Sequence, residues 1–211
     1  MAEVLEKPAE RSSPARQRIF AAALKLFALK GATQVGISEL AAAAGVARGT
    51  VYNNLTDAEA LFEELAEELV DEMSERLTRS FDGIEDPAIR MGYALRHYVR
   101  RAHEEPDWGR FMTRFAYSNR SLQRLWVAGP GRNLTVGIQT GRYRVRAEQT
   151  RAVVGMMAGG VIGAMSAVLD GDLTWRSAGS DTAELLLVAL GVDREEARRI
   201  AELELPPLPP L

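Results

Sequence analysis

GISELAAAAGVARGTVYNNL, residues 36 to 55, decides the fold. Two short helices that meet at a steep angle need a small residue at the crossing, a glycine in the turn and apolar residues on their inner faces. Ala41, Gly45, Val46 and Val51 meet those needs, and Ile37 and Leu40 add contacts to a preceding helix. The pattern predicts a helix over 39–44 capped by Ser38, a stop at Gly45 with positive φ, and a third helix over 48–55. Outward on that third helix stand Arg48, Thr50, Tyr52 and Asn53, a short, donor-rich set suited to the major groove of DNA.

Working outward, the preceding helix is expected from Pro14 or Ala15 to Lys30, with Ile19, Ala23, Leu26 and Phe27 on one stripe and Gly31 as its stop. Residues 1–13 read as a charged, flexible arm without the apolar stretch of a secretory signal. After the motif, Asp57 caps a long helix whose apolar positions are Phe62, Leu65, Leu69, Met73 and Leu77. Asp86-Pro87 opens another through Glu105, and Pro106-Asp107 restarts the chain for 108–118. Further helices are expected around 122–127, then from the Gly129-Pro130-Gly131 break to Gly141, over 147–169, over 181–190, and from the cap Asp193 to about Leu203. The Pro-rich tail, 205–211, is extended or disordered. The fold class is therefore all-α, with nine or ten helices. Residues 14–56 form a three-helix head and residues 57–204 a helical bundle.

Charge follows this division. The net charge is -3, yet residues 1–56 hold seven Lys or Arg against four Glu, which places the positive excess on the head. Cysteine is absent and His occurs twice, so disulfides and Cys-ligated metals are excluded and a reducing compartment suits the chain. His97 and His103 are six apart and share no helix face, so no metal site is expected. No nucleophile motif or phosphate-binding loop occurs, so neither a cofactor nor catalysis is expected.

The stretch RIFAAALKLFALKGATQVGISELAAAAGVARGTVYNNLTDAEALF, within residues 16 to 65, resembles the N-terminal domain of the tetracycline-repressor family. Its telling elements are LFALKG, ELAAAAGVARGTVY and the acidic-Ala-Leu start of the following helix. GIQTGRYR, residues 137–144, is similar to a later stretch of that family. The resemblance implies a ligand-responsive DNA-binding regulator, most often a repressor, that acts as a cytoplasmic homodimer on palindromic double-stranded operator DNA and is released by a small, largely apolar effector. It assigns DNA contacts to Ser38, Arg48, Gly49, Thr50, Tyr52 and Asn53. Three positions depart from the family pattern: Asn54 replaces an aromatic, Leu55 replaces Phe, and Ala58 stands where a phosphate-binding Lys is usual. The backbone-positioning part of the affinity is then either lower or supplied by Arg16, Arg18 or the basic arm.

In the second domain, Trp108, Phe111, Met112 and Phe115 form a stripe at i, i+3, i+4 and i+7. With Tyr93, His97, Trp126 and Met157 they are the candidate effector pocket, against the plainer reading of an apolar core. AVVGMMAGGVIGAMSAVL, residues 152–169, is uncharged and of membrane-spanning length. Its composition, rich in Gly and Ala, favours a covered helix in a soluble bundle, so no membrane partner is expected. Gly155, Gly159 and Gly163 form a small-residue stripe. The resemblance pairs this helix with 181–190 in a dimer interface, to which Leu186 and Leu190 are assigned. The alternative is a small-molecule-binding or membrane-associated helical protein without DNA activity.

Overall fold

The computed structural model describes residues 13–55 and 60–210, all of it helix and connecting turns. The helices are α1 (Pro14–Lys30), α2 (Ile37–Ala44), α3 (Arg48–Asn54), α4 (Leu61–Ser80), α5 (Pro87–Glu104), α6 (Pro106–Phe115), α7 (Arg120–Trp126), α8 (Arg132–Gln139), α9 (Thr150–Leu169), α10 (Trp175–Ala189) and α11 (Arg194–Glu202). A π-helical turn, Val127–Gly131, carries α7 into α8 without a break, so the described chain forms ten continuous rods. The expected stop at Gly129-Pro130-Gly131 is therefore a wide turn instead. A π-turn opens the i→i−4 ladder and so tolerates Pro130, which has no N–H to give.

Local chemistry sets most boundaries. Ser13 accepts the Arg16 N–H at the start of α1, Asp86 accepts that of Ala88 before Pro87, and Asp193 accepts those of Glu195 and Glu196. Gly31 and Gly45 end α1 and α2 with φ of 65° and 64°. The second helix departs from expectation: it starts at Ile37 with Gly36 as its cap residue, so Ser38 lies inside it and caps nothing. Helix α10 starts at Trp175, six residues before the expected Asp181, because Thr174 caps it through the Ser177 N–H. The proposed cap Asp57 lies outside the described residues.

Helix α5 is the axis of the bundle and packs against α6, α8, α9, α10 and α11. Glycines allow its closest approaches. A Cβ at Gly92 would sit 2.9 Å from Ile200 Cγ2, and one at Gly109 would sit 2.9 Å from Ala102 Cβ where α6 crosses α5. The GIQTGRYR stretch is a clasp at one end of α5. Tyr143 Oη donates to the Pro87 carbonyl at 2.8 Å, its ring lies over Gly137, and Arg142 bridges Asp86 and Glu196 at 3.0 and 2.8 Å. Burial resists ionisation of Asp86, but Arg142 and the backbone amides outweigh it and hold the carboxyl below its usual range.

Four phenylalanines join head to bundle. Phe27 of α1 meets Phe62 of α4 edge-on at 5.1 Å, and Phe62 meets Phe111 and Phe115 of α6 at 5.3 and 5.0 Å. Phe111 and Phe115, expected in an effector pocket, thus form the joint through which the bundle holds the head. The tail is extended and anchored: Leu208 packs on the core, and Arg76 of α4 donates to the carbonyls of Leu208 and Pro209 at 3.4 and 3.0 Å.

Candidate nucleic-acid interface and bundle core

The head is built as its sequence requires. Leu40, Ala41, Ala44 and Val51 are buried, Ile37, Val46 and Leu55 are half-buried against them, and the Val46 N–H bonds the Ala41 carbonyl at 3.0 Å across the turn. This leaves Ser38, Arg48, Gly49, Tyr52 and Asn53 exposed and Thr50 half-buried. Tyr52 is 65% exposed and takes no part in the core. A Cβ at Gly49 would touch nothing, so that stretch of backbone is open to a close partner.

Two residues act differently from expectation. Arg16 lies on the α4 side of α1, where it bonds Glu68 at 2.7 Å and covers the Phe20 ring, so it is engaged within the protein, whereas Arg18 is exposed. Asn54 is a tie: its side-chain amide donates to the Thr50 carbonyl at 2.8 Å and accepts from the Ser13 hydroxyl at 2.7 Å. It therefore fixes the start of α1 beside the end of α3, a role that nothing in the local sequence signals. Ala58 lies outside the described residues.

In the bundle, Tyr93, His97, Trp108, Met112, Trp126 and Met157 are all buried. Tyr98, absent from the expected set, sits among them, with Trp108 stacked at 6.4 Å and Trp126 tilted at 5.1 Å. The indole N–H groups of Trp108 and Trp126 and both nitrogens of His97 have no hydrogen-bond partner. Buried polar groups are paired in the great majority of cases, so several orphans in one bundle need an explanation.

Burial, then the charges of Arg100, Arg96 and Arg76, lower the His97 pKa from 6.5 to about 3. An unfolded imidazole takes up its proton near its ordinary value, so between the two values the unfolded chain holds more protons. Stability is whole above the upper value and is lost as pH falls toward the lower. Going from pH 7 to pH 5 should cost about 2 kcal/mol through this group alone. Urea unfolding at both pH values should show that loss in the natural chain, and about 2 kcal/mol less of it in His97→Gln.

The exposed face of α9 carries Gly155, Met156, Gly160 and Gly163, with Gly159 half-buried, and Cβ atoms at Gly155 and Gly163 would meet nothing. On α10 Leu185 is a large exposed apolar residue, at 62%. Leu186 and Leu190, assigned to an interface, turn inward and pack in the protomer's own core. Helix 147–169 meets the length and hydropathy of a membrane span, and in this fold it packs against α5, α6 and α10.

A helix-turn-helix head on an all-helical bundle defines a DNA-binding regulator with a sensing domain. Residues 19–65 match the family model "Bacterial regulatory proteins, tetR family", and residues 86–203 match "Tetracyclin repressor-like, C-terminal domain". The chain belongs to the tetracycline-repressor family and is a ligand-responsive, DNA-binding transcription regulator. Among solved structures it is similar to RolR in complex with resorcinol, with 29% identity over 92% of this chain and 96% of that one and a TM-score of 0.70. It shares the fold of the fatty acid degradation regulator FadR from Bacillus halodurans (18% identity, 84% and 97% covered, TM-score 0.70). It also shares that of a gamma-butyrolactone receptor (19% identity, 90% and 96% covered, TM-score 0.69). No curated protein sequence matches the chain.

Proposed function

We propose that the chain is a cytoplasmic, non-enzymatic repressor that binds a palindromic operator as a homodimer and is released by a small, mostly apolar effector carrying hydroxyl groups. The orphan polar groups around Tyr98 carry the effector assignment. Two indole donors, with a neutral imidazole on the neighbouring residue of the same helix, match a ligand whose hydroxyl oxygens accept from Trp108 and Trp126. The similarity to RolR, whose structure holds resorcinol, supports a small phenol.

The core around Tyr98 is closed, so a ligand enters by displacing adaptable side chains, and Met112 and Met157 belong to the same apolar cluster. Movement of α6 then reaches the head through Phe111, Phe62 and Phe27, and shifts the spacing of the two reading heads. The flat glycine stripe of α9 with Leu185 of α10 is the face that meets the second copy. Ser38, Arg48, Gly49, Thr50, Tyr52 and Asn53 face the DNA.

The test is titration of the operator-bound protein with resorcinol, following release by fluorescence anisotropy. Release is expected, and Trp108→Phe or Trp126→Phe should each weaken it about 3- to 10-fold by removing one donor. An operator complex indifferent to resorcinol sinks the phenol assignment. Equal release from both variants removes the indoles from the site.

A further inference from the structure

Arg96 of α5 has no carboxylate partner among the described residues, although most of the residue is buried. It is 8% exposed, and among the described residues its one hydrogen bond runs from Nη1 to the Leu203 carbonyl at 2.7 Å. No other nitrogen of the fork is buried without a partner, so the rest of the guanidinium keeps solvent contact and is open to a ligand. The fork borders a cavity of about 500 Å³ between α5, the start of α10 and the segment after α11, with Arg100, Trp175, Arg176, Ser180 and Leu205 among its other walls. Two more cations gather on a single indole there, with the Arg176 and Arg100 guanidinium carbons 4.4 and 5.3 Å from the Trp175 ring centre.

The acids nearby neutralise this cluster only in part. Arg100 is paired with Glu104 at 2.7 Å and Glu202 with Arg198 at 3.2 Å, while Arg176 has no ion pair among the described residues. Glu204 is exposed and bonds none of these cations. The site is separate from the core around Tyr98 and from the glycine face of α9.

We propose that this cavity is a second ligand site, for a small molecule with a planar carboxylate attached to an apolar or aromatic body. The guanidinium fork matches the two oxygens of a carboxylate side by side, while Trp175 and Leu205 offer apolar wall to the body. Glu202 and Glu204 also line the cavity and repel every negative charge brought into it, so a monoanion loses less to them than a doubly charged phosphate. Arg96 precedes His97 on α5, so occupancy gives that helix a second chemical input.

Calorimetric titration of the full chain with sodium benzoate at constant ionic strength tests the site, with sodium phosphate as a parallel arm. One benzoate per protomer should bind, without competition from resorcinol, and phosphate should give no binding at the same concentrations. Arg96→Met should weaken benzoate at least about tenfold. Arg176→Ala, at an exposed position where folding is not at issue, should weaken it about threefold. The proposal fails if benzoate does not bind up to about 10 mM, if phosphate binds as well as benzoate, if resorcinol displaces it, or if both variants bind benzoate unchanged. Operator binding by Arg176→Ala should match the natural chain. Loss of operator binding by the natural chain would instead count against the regulator assignment and leave the benzoate result readable.

Discussion

Replacing Thr50 and Tyr52 together with alanine should abolish operator binding at physiological salt and leave the chain folded. Both side chains project from α3 at the open side of the head, Tyr52 exposed and Thr50 half-buried. Val51 between them is fully buried and is the residue that holds α3 to the head. Alanine forms helix better than Thr or Tyr, so the helix survives the change. A hydroxyl bond to a phosphate is worth about 1 kcal/mol net, and if each side chain makes one, two subunits together would lose four, about a thousandfold in affinity. Anisotropy with operator DNA measures the loss and circular dichroism checks the fold. Binding within threefold of the natural chain would remove α3 from the reading role.

The second large effect lies in the bundle. Arg101→Met should lower stability by about 3 kcal/mol, the lower end for breaking a buried pair, because its acidic partners keep some solvent. Its guanidinium is 3% exposed, reaches Glu72 at 2.9 Å and Glu105 at 3.0 Å, and lies 4.6 Å over the Trp108 ring. Arg76 shares both acids at 3.0 and 3.5 Å and also holds the tail. Removing Arg101 leaves two carboxylates to one arginine, and the melting temperature should fall by roughly 6–12 °C. Adding Glu72→Gln and Glu105→Gln should recover part of the loss, since the stranded charges are what cost most. An unchanged melting temperature in Arg101→Met would show that the network contributes nothing.

The sequence made the head legible because its signals are local. Gly31 and Gly45 stand where a left-handed residue must, Pro14 and Pro87 follow their caps, and the apolar spacing of α1 and α4 closes on one face. What it concealed depends on contacts between distant segments. Ser38 was an attractive cap by type, but Ile37 already joins α2. The start of α10 was hidden because WRSAGS carries no apolar period, although Thr174 with Ser177 was a usable cap signal. Leu185, Leu186 and Leu190 are alike in composition, and only the packing of α10 on α5 turns two inward and one outward. Phe111 and Phe115 read as pocket from their stripe, yet these two pack on Phe62 of α4, which in turn meets Phe27 of the head. The roles of Asn54, Arg96 and Arg101 rest on partners that range from four to more than a hundred residues away along the chain.

The central claim is that residues 36 to 55 read DNA as one half of a two-fold pair. Hydroxyl-radical footprinting of the chain on a site recovered by genomic binding-site sequencing tests it directly. Two protected half-sites related by a dyad are expected, centred about one DNA turn, ~34 Å, or a multiple of it apart, and both should vanish together with Thr50→Ala plus Tyr52→Ala. A single unsymmetrical footprint, or protection that survives the double substitution, would contradict it.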